Sequence, residues 1–347
     1  MPHYNRYKST YTKRHIEEKK KAKSNTNTIN QYEDFIIKNT NESTGIVIET
    51  KYSEAIILFD NELIKAHLRK GINAPCNKII FPGDVVTIKQ NKVNEYYIEN
   101  LIERKNLLSR IKKDSSKKDD IGIRNNIAAN VDIAVIVVSA KEPPLHQKLI
   151  DRYLLILQEN NMDFVICLNK ADLKTNEDEK VLDIYRKIKI PVIETSTINC
   201  TGIEELKSIL RGKQAIFLGH SGVGKSSLTN LLIGIEKVKT SHTSKKSLKG
   251  RHTTTSSRYY IWDKNSSIID TPGIRSLDVS NFNKNEIKEY FQEFKSLEGN
   301  CKYSNCLHYK EKIEDCIVKQ AVQKGIISKA RYDSYIRILE DIIKDEK

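Results

Sequence analysis

Asn169-Lys170-Ala171-Asp172 comes before Gly219-His220-Ser221-Gly222-Val223-Gly224-Lys225-Ser226, and Asp270-Thr271-Pro272-Gly273 follows both. The middle stretch fits the phosphate-loop pattern GxxxxGK[ST]. The last reads as the DxxG found on the Mg²⁺ side of such a loop. The first reads as NKxD, which recognises guanine and in an ordinary GTPase follows the other two. The hydrophobic runs make this order a circular permutation and not a chance match. Ile133–Ser139 (IAVIVVS) is a buried-type strand, and Phe164–Leu168 delivers Asn169 at its carboxyl end. A helical stretch, Leu149–Glu159, lies between them. Ala215–Leu218 feeds the phosphate loop, and Ser267–Ile269 feeds Asp270. Each motif therefore falls at the C-terminal edge of a predicted parallel strand, where open α/β sheets bind ligands.

The residue types explain the chemistry expected of them. Glycines 219, 222 and 224 let the backbone close around phosphates, so that its N–H groups, including those of His220, Ser221 and Val223, act as donors. Lys225 brings a positive charge to the β/γ oxygens. Ser226, followed by Ser227, is the expected Mg²⁺ ligand. Asp270 is expected in the second shell of that ion, and the Gly273 N–H against the γ-phosphate. The Asp172 carboxylate accepts from guanine N1–H and the exocyclic amine, which adenine does not offer in that geometry. Asn169 steadies the two loops, and the Lys170 stem covers the base beside Ala171. Thr195-Ser196-Thr197 reads as a further guanine loop, with Ser196 among the binding residues. Gly250-Arg251-His252-Thr253-Thr254-Thr255 lies between the phosphate loop and Asp270. Thr254 is the threonine expected to close over Mg²⁺. Ile274 stands where many GTPases carry a water-orienting Gln, so intrinsic hydrolysis should be slow, and His252 is the nearest candidate to position the water.

A second constellation is Cys301-x4-Cys306-x-His308 followed by Cys316. Three thiolates and one imidazole complete a tetrahedral Zn²⁺ site with no open position, which makes the metal structural. Cys76, Cys167 and Cys200 have no partners in sequence, and Cys167 falls in a strand.

Around these motifs the chain divides. Residues 1–30 form a basic, polar tail expected to be disordered. Residues 31–111 hold short strands (Gly45–Ile48, Ala55–Phe59, Lys78–Phe81, Asp84–Ile88 and Tyr96–Leu101) that fit a small barrel of the OB type, although an SH3-like barrel would read much the same. Residues 112–126 read as a linker, 127–280 as the permuted α/β domain, and 281–347 as a mostly helical domain around the cysteine cluster. The 347 residues carry a net charge of +14, which points to a polyanionic partner such as nucleic acid. The surplus concentrates in two places. Residues 1–30 hold eight Lys or Arg against two Glu, and residues 237–258 hold seven with no acid. No secretory leader or membrane-length apolar run is read, and six cysteines do not suggest a disulfide scaffold. A monomeric protein of a reducing, cytoplasmic compartment is expected.

Taken in order, NKAD, GHSGVGKSS, GRHTTT, DTPG and CKYSNCLH with the following Cys316 resemble the RsgA (YjeQ) family of circularly permuted GTPases. Ala129-Asn130-Val131-Asp132 and Arg104-Lys105-Asn106-Leu107-Leu108 add to the likeness, which covers roughly residues 40–320. The resemblance implies three parts: an N-terminal barrel, a permuted P-loop GTPase domain and a C-terminal zinc-binding domain. It implies hydrolysis of GTP to GDP with Mg²⁺, stimulated by the small ribosomal subunit and its rRNA during late subunit maturation. It places one zinc on Cys301, Cys306, His308 and Cys316, and implicates His252 in hydrolysis. Two other classes fit the motifs less well. A P-loop small-molecule kinase lacks a visible acceptor pocket, and an RNA-binding protein with a vestigial nucleotide site does not explain why Lys225, Ser226 and Asp270 are all in place.

Overall fold

The computed structural model describes residues 44–51, 54–60, 62–68, 80–92, 95–112, 123–234, 258–263, 265–270, 279, 282–297 and 299–345. The tail at 1–30, the Gly250–Thr255 stretch with His252 and Thr254, and Gly273 lie outside the described residues.

The first part is a closed barrel of β1 (Thr44–Lys51), β2 (Glu54–Phe59), β3 (Glu62–Leu68), β4 (Val85–Lys92) and β5 (Glu95–Leu101), in the order β1-β2-β3-β5-β4. Val47, Ile57, Ala66, Val86 and Ile98 fill it. One strand differs from the sequence reading. The third is Glu62–Leu68, whereas Ile80 and Phe81 lie outside any strand. Ile64 and Ala66 do alternate inward, but a small Ala between Lys65 and His67 makes a weak apolar period.

Residues 112–126 are not simply a linker. β6 (Leu107–Lys112) pairs antiparallel with β7 (Ile123–Ala129), so both ends of that stretch are strand. Its charged character hid the pairing; among the residues of described burial there, Leu108, Ala128 and Ala129 are buried. The turns flanking this ribbon clasp one another. Asn106 bonds Val131 through both its amide nitrogen (2.7 Å to the carbonyl) and its amide oxygen (2.8 Å from the N–H). Lys105 N–H donates to Asn130 Oδ1 at 2.7 Å. Arg104 grips the fully buried Asp84 with two bonds of 2.6 and 2.7 Å and lies over the Phe81 ring. The barrel is thereby tied to the start of the next domain through residues the sequence marks as motifs.

That domain is a six-stranded sheet of order β10-β9-β8-β11-β13-β12, comprising β8 (Ile133–Ser139), β9 (Asp163–Asn169), β10 (Val192–Glu194), β11 (Gln214–Leu218), β12 (Arg258–Asp263) and β13 (Ser266–Asp270). Its strands are parallel except β12, which pairs antiparallel with β13. β8 is buried along its whole length, as a parallel strand covered on both faces must be. Alternate residues serve different layers. Ala134, Ile136 and Val138 join Ile150 and Leu154 of α1 (Gln147–Glu159) in one core, while Ile133, Val135 and Val137 join Leu206, Leu210 and Leu228 in the other. The remaining helices here are α2 (Asn176–Lys187), α3 (Ile203–Leu210) and α4 (Lys225–Ile233). A capping box starts α2: Thr175 accepts from the Asp178 N–H, and Asp178 accepts from the Thr175 N–H.

The C-terminal part carries α5 (Gln292–Lys295), α6 (Ile317–Gln323) and α7 (Lys329–Asp345). It shares the α1 core: Phe291, Phe294, Tyr335, Ile338 and Leu339 are buried with Ile150 and Tyr153. No helix among the described residues is long and apolar enough to cross a membrane.

Candidate nucleotide site and metal centre

The sheet brings the separated motifs together at the carboxyl ends of three central strands, β9, β11 and β13, with β8 between the first two. β9 ends at Asn169, β11 runs into Gly219, and β13 ends at Asp270, whose strand position pairs with Phe217. Chain order is irrelevant to this meeting, because strand neighbours are set by hydrogen bonding across the sheet.

Asn169 is fully buried, and its side-chain amide donates to the Val223 carbonyl at 2.9 Å. It locks the guanine-type loop to the phosphate-type loop. That closeness requires glycine at 224: its φ is +95°, and a Cβ there would lie 2.1 Å from Asn169 Nδ2. Gly219 is under a similar constraint, since a Cβ would fall 2.2 Å from the Val137 carbonyl oxygen. Lys170 adopts a left-handed backbone and sends its ammonium to the carbonyl oxygens of Lys141 (3.0 Å) and Glu142 (2.5 Å). Its stem is thereby fixed across the rim of the site. Asp172 remains exposed, with one oxygen accepting from Ser196 Oγ at 2.6 Å. Ser196 is itself buried, and its oxygen also accepts from the Asn199 N–H at 3.2 Å. The carboxylate is held in place while its other oxygen stays available to a base.

Ser221 and Gly222 are exposed, whereas Val223 and Lys225 are buried. Lys225 Nζ donates to the carbonyls of Gly219 (2.7 Å) and His220 (3.0 Å). Burial pushes its ammonium down to about 8, against the opposing pull of the nearby Asp270 carboxylate. Lys225, Ser226 and Ser227 open α4 directly after Gly224, so the helix N-terminus points positive charge and free N–H groups at the loop. A hydroxyl (Ser226) and a buried carboxylate (Asp270) in this setting suit a hard cation such as Mg²⁺, which takes oxygen ligands.

The second site is built by contrast from one short stretch. The Sγ atoms of Cys301, Cys306 and Cys316 lie 3.7, 3.3 and 3.4 Å from His308 Nδ1, and the four ligand atoms all fall within 4.8 Å of one another. A tetrahedral metal with bonds of about 2.3 Å to sulfur and about 2.0 Å to nitrogen sets an S···N edge of roughly 3.6 Å. The cluster has that size and can hold a metal ion. Burial keeps the His308 imidazole neutral, pushing it down to about 4, and raises the Cys306 and Cys316 thiols. A bound cation would hold those thiols as thiolates.

The knuckle is fixed from outside. Glu311 accepts from the N–H groups of Leu307 (2.8 Å) and Tyr309 (2.7 Å). From α7, Tyr332 and Tyr335 donate to the carbonyls of His308 (2.7 Å) and Leu307 (2.5 Å), and Glu340 accepts from Tyr309 at 2.9 Å. None of these aromatic or acidic partners belongs to a spacing that sequence reading recognises.

A permuted parallel sheet with a phosphate loop, a guanine-type loop and an Asp at the third strand end defines a circularly permuted P-loop GTPase. The family model for the RsgA GTPase matches residues 101–280, and the chain belongs to the RsgA GTPase family. It is 36% identical over 272 residues to "Small ribosomal subunit biogenesis GTPase RsgA" of Caldanaerobacter subterraneus, covering 78% of this chain and 86% of that protein. A protein of the same name from Thermotoga neapolitana is 36% identical over 271 residues, covering 77% and 85%. Among solved structures, YjeQ from Thermotoga maritima superposes with a TM-score of 0.66 at 31% identity, covering 87% of this chain and 98% of that one. YloQ, described as a circularly permuted GTPase, superposes with a TM-score of 0.65 at 27% identity, covering 88% and 96%.

Proposed function

We propose that this protein binds the small ribosomal subunit late in its assembly and hydrolyses GTP to GDP and phosphate when docked there. The observation that carries this reading is the extent of the kinship. The likeness to proteins named for small-subunit biogenesis runs through 85–86% of their length and is not confined to a nucleotide domain. Asn169, Lys170, Ala171, Asp172 and Ser196 hold the guanine base. The 219–227 loop and helix start hold the phosphates, with Lys225 on the β/γ oxygens. Mg²⁺ is taken by Ser226 and Thr254 with Asp270 behind them, and supplies charge neutralisation at the γ-phosphate. Gly273 meets the γ-phosphate, and His252 orients the attacking water in place of the glutamine that Ile274 displaces. Cys301, Cys306, His308 and Cys316 hold one structural Zn²⁺. The basic segments at 1–30 and 237–258 meet rRNA phosphates. The protein works as a monomer in the cytoplasm, where its partner is.

The test is a GTPase assay with and without purified small subunits. Unassisted turnover should be slow, on the order of 10⁻⁴ to 10⁻³ s⁻¹ as for Ras-type hydrolysis, and subunits should accelerate it at least tenfold. His252→Ala should remove most of the acceleration while leaving GTP affinity nearly intact. Fast hydrolysis indifferent to subunits would refute the reading. Affinity for the subunit should also fall steeply with salt, with a log–log slope of about −0.7 to −0.9 per neutralised phosphate.

A further inference from the structure

The loop between β8 and α1, residues 140–146, forms a side of the nucleotide site that none of the sequence motifs supplies. Lys141, Glu142, Pro144 and His146 are exposed, so packing does little to fix the turn they make. Polar ties from two neighbouring strand ends fix it instead. Ser139, the last residue of β8, pairs in register with Asn169, the last residue of β9. Ser139 is 1% exposed, and its Oγ donates to the Pro143 carbonyl at 2.7 Å. The Ala140 N–H donates to the Asn169 carbonyl at 3.2 Å. Lys170, next in the base loop, donates from Nζ to the carbonyls of Lys141 at 3.0 Å and Glu142 at 2.5 Å.

Three successive carbonyls, at 141, 142 and 143, thus turn toward the strand ends, and a side-chain donor meets each of them. The backbone is strained to do this. Glu142 has a φ of +51° and Lys170 a φ of +58°. Left-handed backbone is unfavourable for residues that carry a side chain, and it persists where the surroundings over-determine it, commonly at ligand sites. Here the two strained residues are bonded to each other, Lys170 Nζ to the Glu142 carbonyl. The turn also reaches the phosphate loop. A Cβ on Gly222 would lie 3.5 Å from Pro143 Cδ and 3.6 Å from the Glu142 carbonyl oxygen, which is ordinary contact distance. Ser139 has the strand parity of Val135 and Val137, which share a core with Val223 and Leu228 on the phosphate-loop side of the sheet.

One short turn therefore touches the base loop through Lys170 and the phosphate loop at Gly222. Its chemistry suits both neighbours. A lysine stem that covers a base gives up considerable rotamer freedom, and that cost falls before the ligand arrives if the ammonium is already held. Backbone carbonyls hold it here, and the Ser139 hydroxyl fixes the turn that aims them. The same donors cap carbonyl oxygens whose partial negative charge would otherwise face a polyphosphate.

We propose that Ser139 is a positioning residue for nucleotide binding: by fixing the 141–143 carbonyls it holds the Lys170 stem where the base lies against it and seats the turn beside Gly222. Ser139 acts through Lys170 and not on the nucleotide itself. The inference deepens the guanine-nucleotide reading of the site, rests on it, and needs no assumption about the ribosome. The contacts run to the base loop and to Gly222, whereas Asp270 lies at the end of β13. Loss of the Ser139 hydroxyl should therefore fall on binding and not on the hydrolytic step.

The test uses the full-length protein. GDP affinity is measured by fluorescence for the parent, Ser139→Ala, Lys170→Met and the double variant. Ser139→Ala should weaken GDP binding roughly three- to tenfold, the range of one neutral hydrogen bond, and Lys170→Met roughly tenfold or more. The double variant should lie within about twofold of Lys170→Met, because the hydroxyl has nothing left to aim once the ammonium is gone. Effects that multiply would overturn the proposal, as would a Ser139→Ala protein that is less heat-stable yet binds GDP like the parent. In GTP hydrolysis, where slow chemistry makes KM a measure of affinity, Ser139→Ala should raise KM by the same factor and leave kcat within about twofold. A loss confined to kcat would overturn it. Hydrogen exchange supplies a readout that survives if Ser139→Ala does not fold. In nucleotide-free Lys170→Met, the amides of residues 140–142, 145 and 146 should exchange faster than in the parent. Equal exchange there would overturn the proposal. A parent that binds no guanine nucleotide would remove the nucleotide reading itself, which distinguishes that failure from a failure of positioning alone.

Discussion

The nucleotide site and the metal centre use opposite strategies. The first gathers residues that are far apart in the chain and presents mostly backbone: the N–H groups of the 219–226 loop, shaped by glycines at 219 and 224 that neighbouring backbone and Asn169 would not let carry a side chain. The second takes four side chains from one stretch and buries three of them. The sheet assembles the first by strand pairing, so permuting the chain leaves it intact. The second depends on local chain path and on whatever occupies its centre. A site held by a sheet should tolerate loss of its ligand, whereas a site held by a metal should not.

The largest effect expected follows from that difference. Cys316→Ser should lose the metal, abolish exchange protection across 282–345 and lower the melting temperature by more than about 10 °C, since structural zinc contributes apparent energies on the order of 10 kcal/mol to small domains. GDP affinity should fall far less, by under about tenfold. Equal loss at both sites would break the contrast, and metal analysis with hydrogen exchange reads it directly.

Next is base choice. Asp172→Asn should weaken GTP binding roughly a hundredfold and raise the relative affinity for xanthine nucleotides, because charge-assisted bonds of about 1.5–3 kcal/mol each are exchanged for an amide donor. Competition between GTP and XTP for the purified protein measures the swap. No change in preference would mean that the Asp172–Ser196 pair serves folding and not recognition.

A smaller effect tests the backbone side of the comparison. Gly224→Ala places a methyl where φ is +95° and Asn169 Nδ2 is 2.1 Å away. The left-handed backbone alone costs about 1–2 kcal/mol, so GDP affinity should fall roughly tenfold with the metal centre unaltered. Parent-like binding would show that the two loops can part without consequence.

The smallest effect is the pH dependence of binding. Burial holds Lys225 at about 8 in the free protein, below its ordinary value, and phosphate oxygens would raise it. Past about pH 8 the free protein loses a proton that the complex retains. Binding must then take up a proton, and affinity declines as pH rises. Between pH 7.5 and 9, GDP affinity should drop several-fold. Lys225→Arg, whose guanidinium keeps its proton, should bind weakly without that slope. The same shift makes the fold slightly less stable below pH 8, where the buried ammonium is charged, and relieves it as pH rises.

Much of both sites was legible because their constraints are short-range. GxxxxGK[ST] is one loop and its helix start, NKxD is one strand end, and the four metal-ligand candidates lie in one stretch. The apolar runs placed β8, β9, β11 and β13, since buried parallel strands carry little else. Legibility failed where the signal was weak or spread out. β3 was missed because Ala66 is small and flanked by Lys65 and His67, and β7 because Arg124, Asn125 and Asn126 interrupt its apolar residues and it is recognised only by pairing with β6. Tyr332, Tyr335 and Glu340, which hold the knuckle from α7, carry no motif at all, since such residues on an amphipathic helix look like any others.

The sequence by itself determined the class of chemistry, the permuted order of the parts and the ligands available to a metal, because each depends on residue type at fixed local spacing. Only the tertiary structure decided that Asn169 locks onto Val223, that Ser196 holds Asp172, and that Asp151 of α1 pairs with Arg331 of α7. Those contacts depend on which strand ends and helix faces the sheet and its cores bring within a few ångströms, and no local pattern in the chain records that distance.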